Sequence, residues 1–545
     1  MRDPLAPRMR WWGWGEDDRA GGLPAHAEAL LRDEFGAGGD RVPRVDLDDV
    51  RISASVYPGG LRERLLKIVG EGHVRDDRLS RVSHALGRSY IDLLRLRGGD
   101  GSSAPDAVVY PGSHDEVAAV LAACAEAGTA VTPFGGGTSV VGGVEPLRDG
   151  FSAAISLDLA RMDRLLSADL RSLSATFAPG ITGPRAEAAL SARGLTLGHY
   201  PQSFEYATIG GFVATRSAGQ ASTGYGRIDE LVLGLRCASP AGEIGARTVP
   251  ASAAGPALRE LLVGSEGVLG VVTEVTLGVR RAPEARRFEG WSFRSFEEGA
   301  EAFRAMEQAE ASPDVARLSD EEETRISMAL ASSGSALERA GKAYLRVRGH
   351  EGGCIVIAGF EGDAREVERR RARTAAALRD AGAMALGERP GRSWERNRYG
   401  GPYLRDHLLD RGVLVETLET AATWSNLHDV YRGVGHALRS TLSARGTPPV
   451  VMCHVSHLYP AGASLYFTVL ARQEEGAEVE QWRAAKTAAS DAILAAGGTI
   501  THHHAVGADH APWLGREVGE LGLDVLRAAK ERLDPAGIMN PGKLL

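Results

Sequence analysis

Between residues 105 and 280 the chain switches repeatedly between two hydrophobic periods. Residues 107–110 form a short apolar run of β type. DEVAAVLAACAEA (115–127) instead spaces its apolar residues along one helix face. Ser113 with Glu116 opens it as a capping box, and Gly128 stops it. TAVTPF (129–134) follows as a second strand, and strand, helix, strand at this spacing predicts a βαβ unit. A second helix, capped by Thr182 with Pro184 in its first turn, ends at Gly194. LVLGLRCAS (231–239) and GVVTEVTLGV (270–279) alternate as strands, with GSEGVLG (264–270) before the latter. From about residue 285 charged helical segments (297–310 and 365–382) alternate with β-type runs, AYLRVRG (343–349), CIVIAGFEG (354–362) and SLYFTVLA (464–471). That texture predicts an α+β second domain. Residues 1–100 are Arg-rich with helical spacing over 61–69 and 89–97, and a final helix, DVLRAAKERLD, leads into PAGIMNPGKLL.

The second predicted strand opens directly onto Gly135, Gly136 and Gly137, with Thr138 and Ser139 behind them. Glycines let backbone amides crowd around an anion without Cβ interference, and two hydroxyls add donors. Such a loop can cradle a pyrophosphate, although a glycine run alone can equally be an ordinary turn. It is not the dinucleotide fingerprint of doubly wound sheets, whose glycines follow the first strand and open a helix. A second glycine- and hydroxyl-rich stretch covers 198–226.

A length of 545 residues allows two or three domains, and the net charge of −8 supplies no general field for polyanions, which excludes nucleic acid as a partner. Cys124, Cys237, Cys354 and Cys453 form no CxxC pair, pointing to a reducing compartment without a zinc ribbon or disulfide framework. The amino terminus shows no apolar leader core, and no run approaches the roughly 20 apolar residues of a membrane span. The expected location is the bacterial cytoplasm.

PDAVVYPGSHDEV (105–117), PFGGGTS (133–139), ATIGGFVATRSAG (207–219), YGRIDELVLGL (225–235) and GSEGVLGVVTEVTL (264–277) resemble, in order, the cofactor-domain landmarks of vanillyl-alcohol-oxidase-type FAD flavoproteins. LDPAGIMNPGK (533–543) resembles their closing segment. The implied fold class is α+β, with a two-subdomain PCMH-type FAD-binding domain (101–282) followed by an α+β cap domain with an antiparallel sheet (283–500). A helical N-terminal region (1–100) precedes them, and a C-terminal active-site and FAD-contacting segment (501–545) closes the chain. Within that family RWWGWG (10–15), QSFEYATIGGF (202–212), ARLSD (316–320), YLRD (403–406), AGASLYF (461–467) and THHHAVG (501–507) resemble the alkyldihydroxyacetonephosphate synthases, flavoenzymes of ether-lipid synthesis.

By that resemblance FAD contacts are expected at Pro133, Phe134, Gly135, Gly136, Gly137, Thr138 and Ser139, and at Gln202, Ser203, Phe204, Glu205, Tyr206, Ala207 and Thr208. Others are expected at Thr215, Arg216, Ser217 and Ala218, and at Glu266, Gly267, Val268, Leu269, Gly270, Val271 and Val272. Arg317, Tyr466, His502, His503 and His504 fall on catalytic positions and Arg405 on a substrate-phosphate position; no metal is expected. Some members of the family attach FAD through a histidine near the glycine segments. None occurs in 133–143, so the FAD is expected to be non-covalent, with His199 the one candidate against this.

A phosphorylated substrate needs planar, bidentate donors, which suits Arg405, yet Asp406 beside it could make a local structural pair instead. In a strand Tyr466 points away from the face of Leu465 and Phe467, toward a proton-transfer role, with Tyr459 a nearby competitor. If 501–505 is extended, His502 and His504 share one face and His503 takes the other. RWWGWG reads as a structural aromatic anchor. The implied reaction exchanges the acyl group of 1-acyl-dihydroxyacetone phosphate for a fatty alcohol through an adduct at flavin N5. A lipid-phosphate substrate and a fatty alcohol are the implied partners, with peripheral membrane contact and a homodimer as family-based expectations. The alternative is an FAD-linked dehydrogenase of 2-hydroxy acids such as D-lactate, glycolate or D-2-hydroxyglutarate. Its typical HxGDGNxH and EHGIG metal motifs are broken here: His457 is followed by Ser464 seven residues on, and HHHAVG has no Glu. A flavin-binding scaffold without turnover is the third reading, opposed by the intact Arg, Tyr and His set.

Overall fold

The computed structural model describes residues 5–16, 22–23, 25–36, 43–148, 150–331 and 336–545. The expectation of a leader-free amino terminus therefore rests partly on residues 1–4 and 17–18, outside the described residues. Strands Ala107–Val109, Ala153–Asp158 and Thr129–Phe134 run parallel in that spatial order, and Val74–Arg75 pairs antiparallel at the edge. The predicted βαβ unit forms but is split, because Ala153–Asp158 inserts between its two strands. Every residue of that inserted strand is buried, as expected of a parallel strand covered on both faces. Ser113 Oγ caps the helix His114–Glu126 by accepting from the Glu116 amide at 3.2 Å. The Glu116 carboxylate turns to the Gly112 amide (2.7 Å) and Arg161, so only half of the expected capping box forms. Thr182 stands at the start of the helix Gly183–Ser191, but its hydroxyl does not cap it.

The second sheet is antiparallel, ordered Leu165–Asp169, Ser174–Phe177, Val271–Gly278, Val232–Ser239 and Gly242–Ala246. Ala238 and Val271 pack with Ile155 and Leu157, so the two sheets share a core and bring the glycine loop against the 264–272 turn.

The third sheet has seven antiparallel strands in the order Met384–Gly387, Ala285–Phe293, Cys354–Gly362, Val315–Ser319, Val450–Tyr459, Gly462–Arg472 and Val413–Thr423. One face is apolar. Leu318, Val356, Phe360, Leu418, Val455 and Phe467 share a core with residues of the helices Phe296–Gln308, Ala364–Asp380, Leu427–Ala444 and Glu478–Ala495. The period of two puts Arg317, His454, Tyr466, Thr468 and Thr417 on the other face. A one-residue slip would exchange these sets, so burial of the apolar face holds the register. AYLRVRG is not a strand. Its first five residues end the helix Ala336–Val347, and the segment is largely exposed, so its alternation buries no face.

Residues 501–545 return to the first sheet: Met539 bridges to Val131, and Ile538 and Met539 complete its core. Among the described residues no helix is long and apolar enough to cross a membrane.

Candidate active site

A cavity of about 480 Å³ lies between the glycine loop and the polar face of the seven-stranded sheet. On its first side the backbone amides of residues 135–139 donate to no backbone acceptor among the described residues. The chain packs tightly around this loop. A Cβ on Gly136 would stand 2.2 Å from the Tyr206 carbonyl oxygen, and one on Gly267 2.7 Å from the Pro133 ring. Glu266 adopts a left-handed backbone (φ 52°) and accepts from the amides of Val506 (2.9 Å) and Gly507 (2.8 Å), which ties this wall to the histidine segment. Free amides at the end of a strand, kept open by glycine, fit the pyrophosphate of a bound dinucleotide.

All seven expected residues of 133–139 line the cavity, as do Gln202, Ser203, Ala207, Thr208, Thr215, Ser217, Ala218, Glu266, Gly267, Gly270, Val271 and Val272. Six expected contacts stand apart from it. Phe204 stacks on Tyr399, Glu205 accepts from Tyr403, and Tyr206 meets the Tyr403 hydroxyl at 3.2 Å. Arg216 turns to Val263 and Glu260, while Val268 and Leu269 are core residues. The residues flanking these stretches, Ser203 and Ala207, Thr215 and Ser217, and Gly267 and Gly270, reach the cavity. His199 does not line the cavity; its Nε2 lies 2.7 Å from Ser217 Oγ.

On the sheet side Arg317 donates to Glu323 (2.8 Å) and lies 2.9 Å from His454 Nε2. His454 Nδ1 meets the same Glu323 oxygen at 3.0 Å, and its ring stacks on Tyr466 at 4.9 Å. Burial opposes ionisation of Glu323, but Arg317 and His454 hold its carboxyl well below the usual range. Tyr466 points into the cavity opposite Leu465 and Phe467 in alternation, and burial pushes its hydroxyl up to about 12, so it keeps its proton at neutral pH. A register shift between Val455 and Leu458 lets Ser456 and His457 both face the cavity, the effect expected of a bulge beside a site.

Arg405 is buried, lines the cavity, and has no hydrogen-bond partner for Nε or Nη2 among the described residues. Asp406 feels the Arg405 charge but is not hydrogen-bonded to it: that carboxylate accepts from the Trp14 amide (2.7 Å) and Arg10 (3.0 Å). Trp14 itself lines the cavity, so the 10–15 segment anchors the chain and also forms a wall of the site.

The triple histidine is not extended. His503 and His504 both line the cavity, whereas His502 turns to Tyr459, with Nε2 2.6 Å from the hydroxyl. Burial drives His504 down to about 3 and His502 and His503 below their ordinary values, so the rings are neutral at neutral pH. Ring nitrogens of His457, His502 and His503 lie within 4.8 Å of one another, a spacing that a divalent cation could use. Nδ1 of His502 and Nδ1 of His503 are 2.9 Å apart, whereas His457 Nδ1 is buried without a hydrogen-bond partner among the described residues and its ring stacks on His502.

The sequence pattern did not single out Glu323, Glu416, Thr417 and His454, which all line the cavity, or the buried Glu419, and it gave Trp14 only an anchoring role. The available signal was charge within apolar strands, as in VLVETLETAAT and VVMCHVSHLY.

A glycine cradle on one side and an ionic, histidine-rich sheet face on the other fit a flavoprotein, and FAD is its cofactor. Residues 105–245 match the FAD binding domain family and 282–544 the C-terminal domain of FAD linked oxidases. The chain belongs to the alkyldihydroxyacetonephosphate synthase family. It is 34% identical to that enzyme of Dictyostelium discoideum, over 93% of this chain and 84% of the relative. It is likewise 34% identical to that of Trypanosoma brucei brucei, over 98% of this chain and 92% of the relative. A solved alkyldihydroxyacetonephosphate synthase superposes with a TM-score of 0.86 at 29% identity, covering 98% of this chain and 99% of the other.

Proposed function

We propose that this protein is an alkylglycerone-phosphate synthase, exchanging the acyl group of 1-acyl-dihydroxyacetone phosphate for a fatty alcohol in ether-lipid synthesis. The observation that carries the reading is Arg405, a buried guanidinium whose Nε and Nη2 find no acceptor among the described residues, in one cavity with Tyr466, His503 and His504. The activity of the two relatives named above supports it.

Arg405 binds the substrate phosphate as a charge-assisted fork. Arg317, fixed by Glu323 and His454, adds positive charge beside the reacting carbon. The neutral ring of His503 or His504 accepts the C1 proton, and Tyr466, which keeps its own proton, donates to the departing carboxylate. The entering alcohol then bonds to C1 through its oxygen and gives its proton to Tyr466, and the histidine returns the proton to C1. FAD, when bound, supplies an electron sink next to C1, and no net redox change occurs. The flavin is non-covalent, so acid precipitation should leave all of it in the supernatant. Ser464, where the 2-hydroxy-acid dehydrogenases carry a second histidine, is buried and hydrogen-bonded to Ser456 at 3.0 Å, which weighs against that chemistry. A lipid substrate further places the protein at the periphery of a bacterial cytoplasmic membrane, and by analogy with the family it forms a homodimer; vesicle flotation and sedimentation equilibrium check both.

The test is anaerobic flavin spectroscopy with palmitoyl-dihydroxyacetone phosphate. The wild type should bleach in the absence of oxygen and release palmitate, and Tyr466→Phe should bind FAD normally but turn over at least 100-fold more slowly, ~2.7 kcal/mol. An unchanged wild-type spectrum, or bleaching by a 2-hydroxy acid instead, sinks the proposal.

A further inference from the structure

We infer that Glu419 is a positioning residue that coils the triple histidine so that His503 and His504 face the substrate, and biases where their proton sits. The inference rests on the transferase reading only for the identity of the substrate. Glu419 belongs to the strand Val413–Thr423, directly across the ladder from Tyr466, and is 1% exposed. Its carboxylate accepts from Thr501 Oγ1 (2.6 Å) and from three successive amides, those of His502 (2.6 Å), His503 (3.2 Å) and His504 (2.8 Å). Amides that alternate sides in an extended chain cannot converge on one anion; a coiled segment makes them do so. This accounts for the departure from the strand-like alternation of the three side chains.

The same carboxylate stands 3.5 Å from His503 Nδ1 and 3.8 Å from His504 Nδ1. Burial opposes its charge, but the histidine rings and the Thr501 hydroxyl prevail, and Glu419 lies well below the usual carboxylate range. The groups that face or act on the His503 ring are Glu419 from its strand, His457 and Tyr466 from the two neighbouring strands, Arg227, and His502 and His504 on its own segment. His199 and His454 feel it more distantly. Glu419 is the acidic member of this set, and Arg227 opposes it. A proton arriving on His503 or His504 from C1 is therefore held chiefly by Glu419.

A merely structural staple would show a different pattern from a residue that sets proton affinity. The decisive measurement needs no substrate: ¹⁵N-histidine NMR of the holoenzyme, with His503 assigned by His503→Asn. In Glu419→Gln the His503 midpoint should fall by one pH unit or more, and in Glu419→Asp by an intermediate amount, since the charge is withdrawn by one methylene. With palmitoyl-dihydroxyacetone phosphate, the acid limb of kcat for Glu419→Gln should move to lower pH by the same amount, with KM changed less than twofold. Midpoints unchanged from wild type in Glu419→Gln overturn the inference, and so does an unchanged Glu419→Asp midpoint should the Gln variant fail to fold. A wild type that shows the expected NMR shifts but does not turn over this substrate would instead refute the transferase reading alone.

Discussion

Replacing Arg405 with lysine isolates what the guanidinium fork contributes. The substitution keeps the positive charge that offsets the buried carboxylates of Asp406 and Glu416, so neither is stranded. It removes the planar pair formed by Nε and Nη2, which have no partner among the described residues and can take a phosphate. An ammonium group replaces two directed hydrogen bonds with one, and a hydrogen bond to a charged group is worth about 1.5–3 kcal/mol. Loss of one such bond lowers kcat/KM for palmitoyl-dihydroxyacetone phosphate roughly 10- to 100-fold, at about 1.4 kcal/mol per factor of ten. Because the cavity's flavin wall lies on the opposite side, the affinity for FAD and the melting temperature should stay close to wild type. Steady-state kinetics beside fluorescence titration of the apoprotein with FAD separates the two effects. A change under threefold in kcat/KM, or an equal loss with a substrate lacking the phosphate, refutes the assignment.

Gly136→Ala places a methyl group 2.2 Å from the Tyr206 carbonyl oxygen and 2.8 Å from Ala207 Cα, contacts relieved only by parting the glycine loop from the 201–208 segment. Overpacking of this kind costs about 1–3 kcal/mol, and the FAD dissociation constant should rise about tenfold or more; flavin content equal to wild type would contradict the cradle. Burial lowers His199 and His504 to about 3 and His510 to about 4, below the ordinary value near 6.5. The unfolded chain takes up these protons below pH 6.5 while the folded one does not, so the stabilisation is complete above pH 6.5 and is lost as the pH falls toward 4. Each group contributes a slope of up to about 1.4 kcal/mol per pH unit. Urea denaturation at pH 7, 6 and 5 should show a steepening loss, and a flat profile would mean that these rings are protonated in the folded protein.

Much of the site could be read along the chain because its cues are local. The strand TAVTPF and the glycines behind it are neighbours in sequence, and the alternation of Leu465, Tyr466 and Phe467 already says which way the tyrosine points. Local period says which face of an element is apolar but not which element lies alongside. The split of the βαβ unit by Ala153–Asp158 was therefore invisible, and so was the helical state of 343–347, where alternation buries no face. The partners of the charged groups were hidden for the same reason. Arg317 finds His454 across 137 residues, and Trp14 reaches Asp406 across 392. An ion taken out of water must be met by whatever donors the folded chain brings to it. For Glu419 those donors are Thr501 and three histidine amides. The residues present determined that a flavin cradle and a basic, histidine-rich surface would exist. Only the pairing of distant strands decided that the two face each other, and that a buried carboxylate coils the histidines toward the space between.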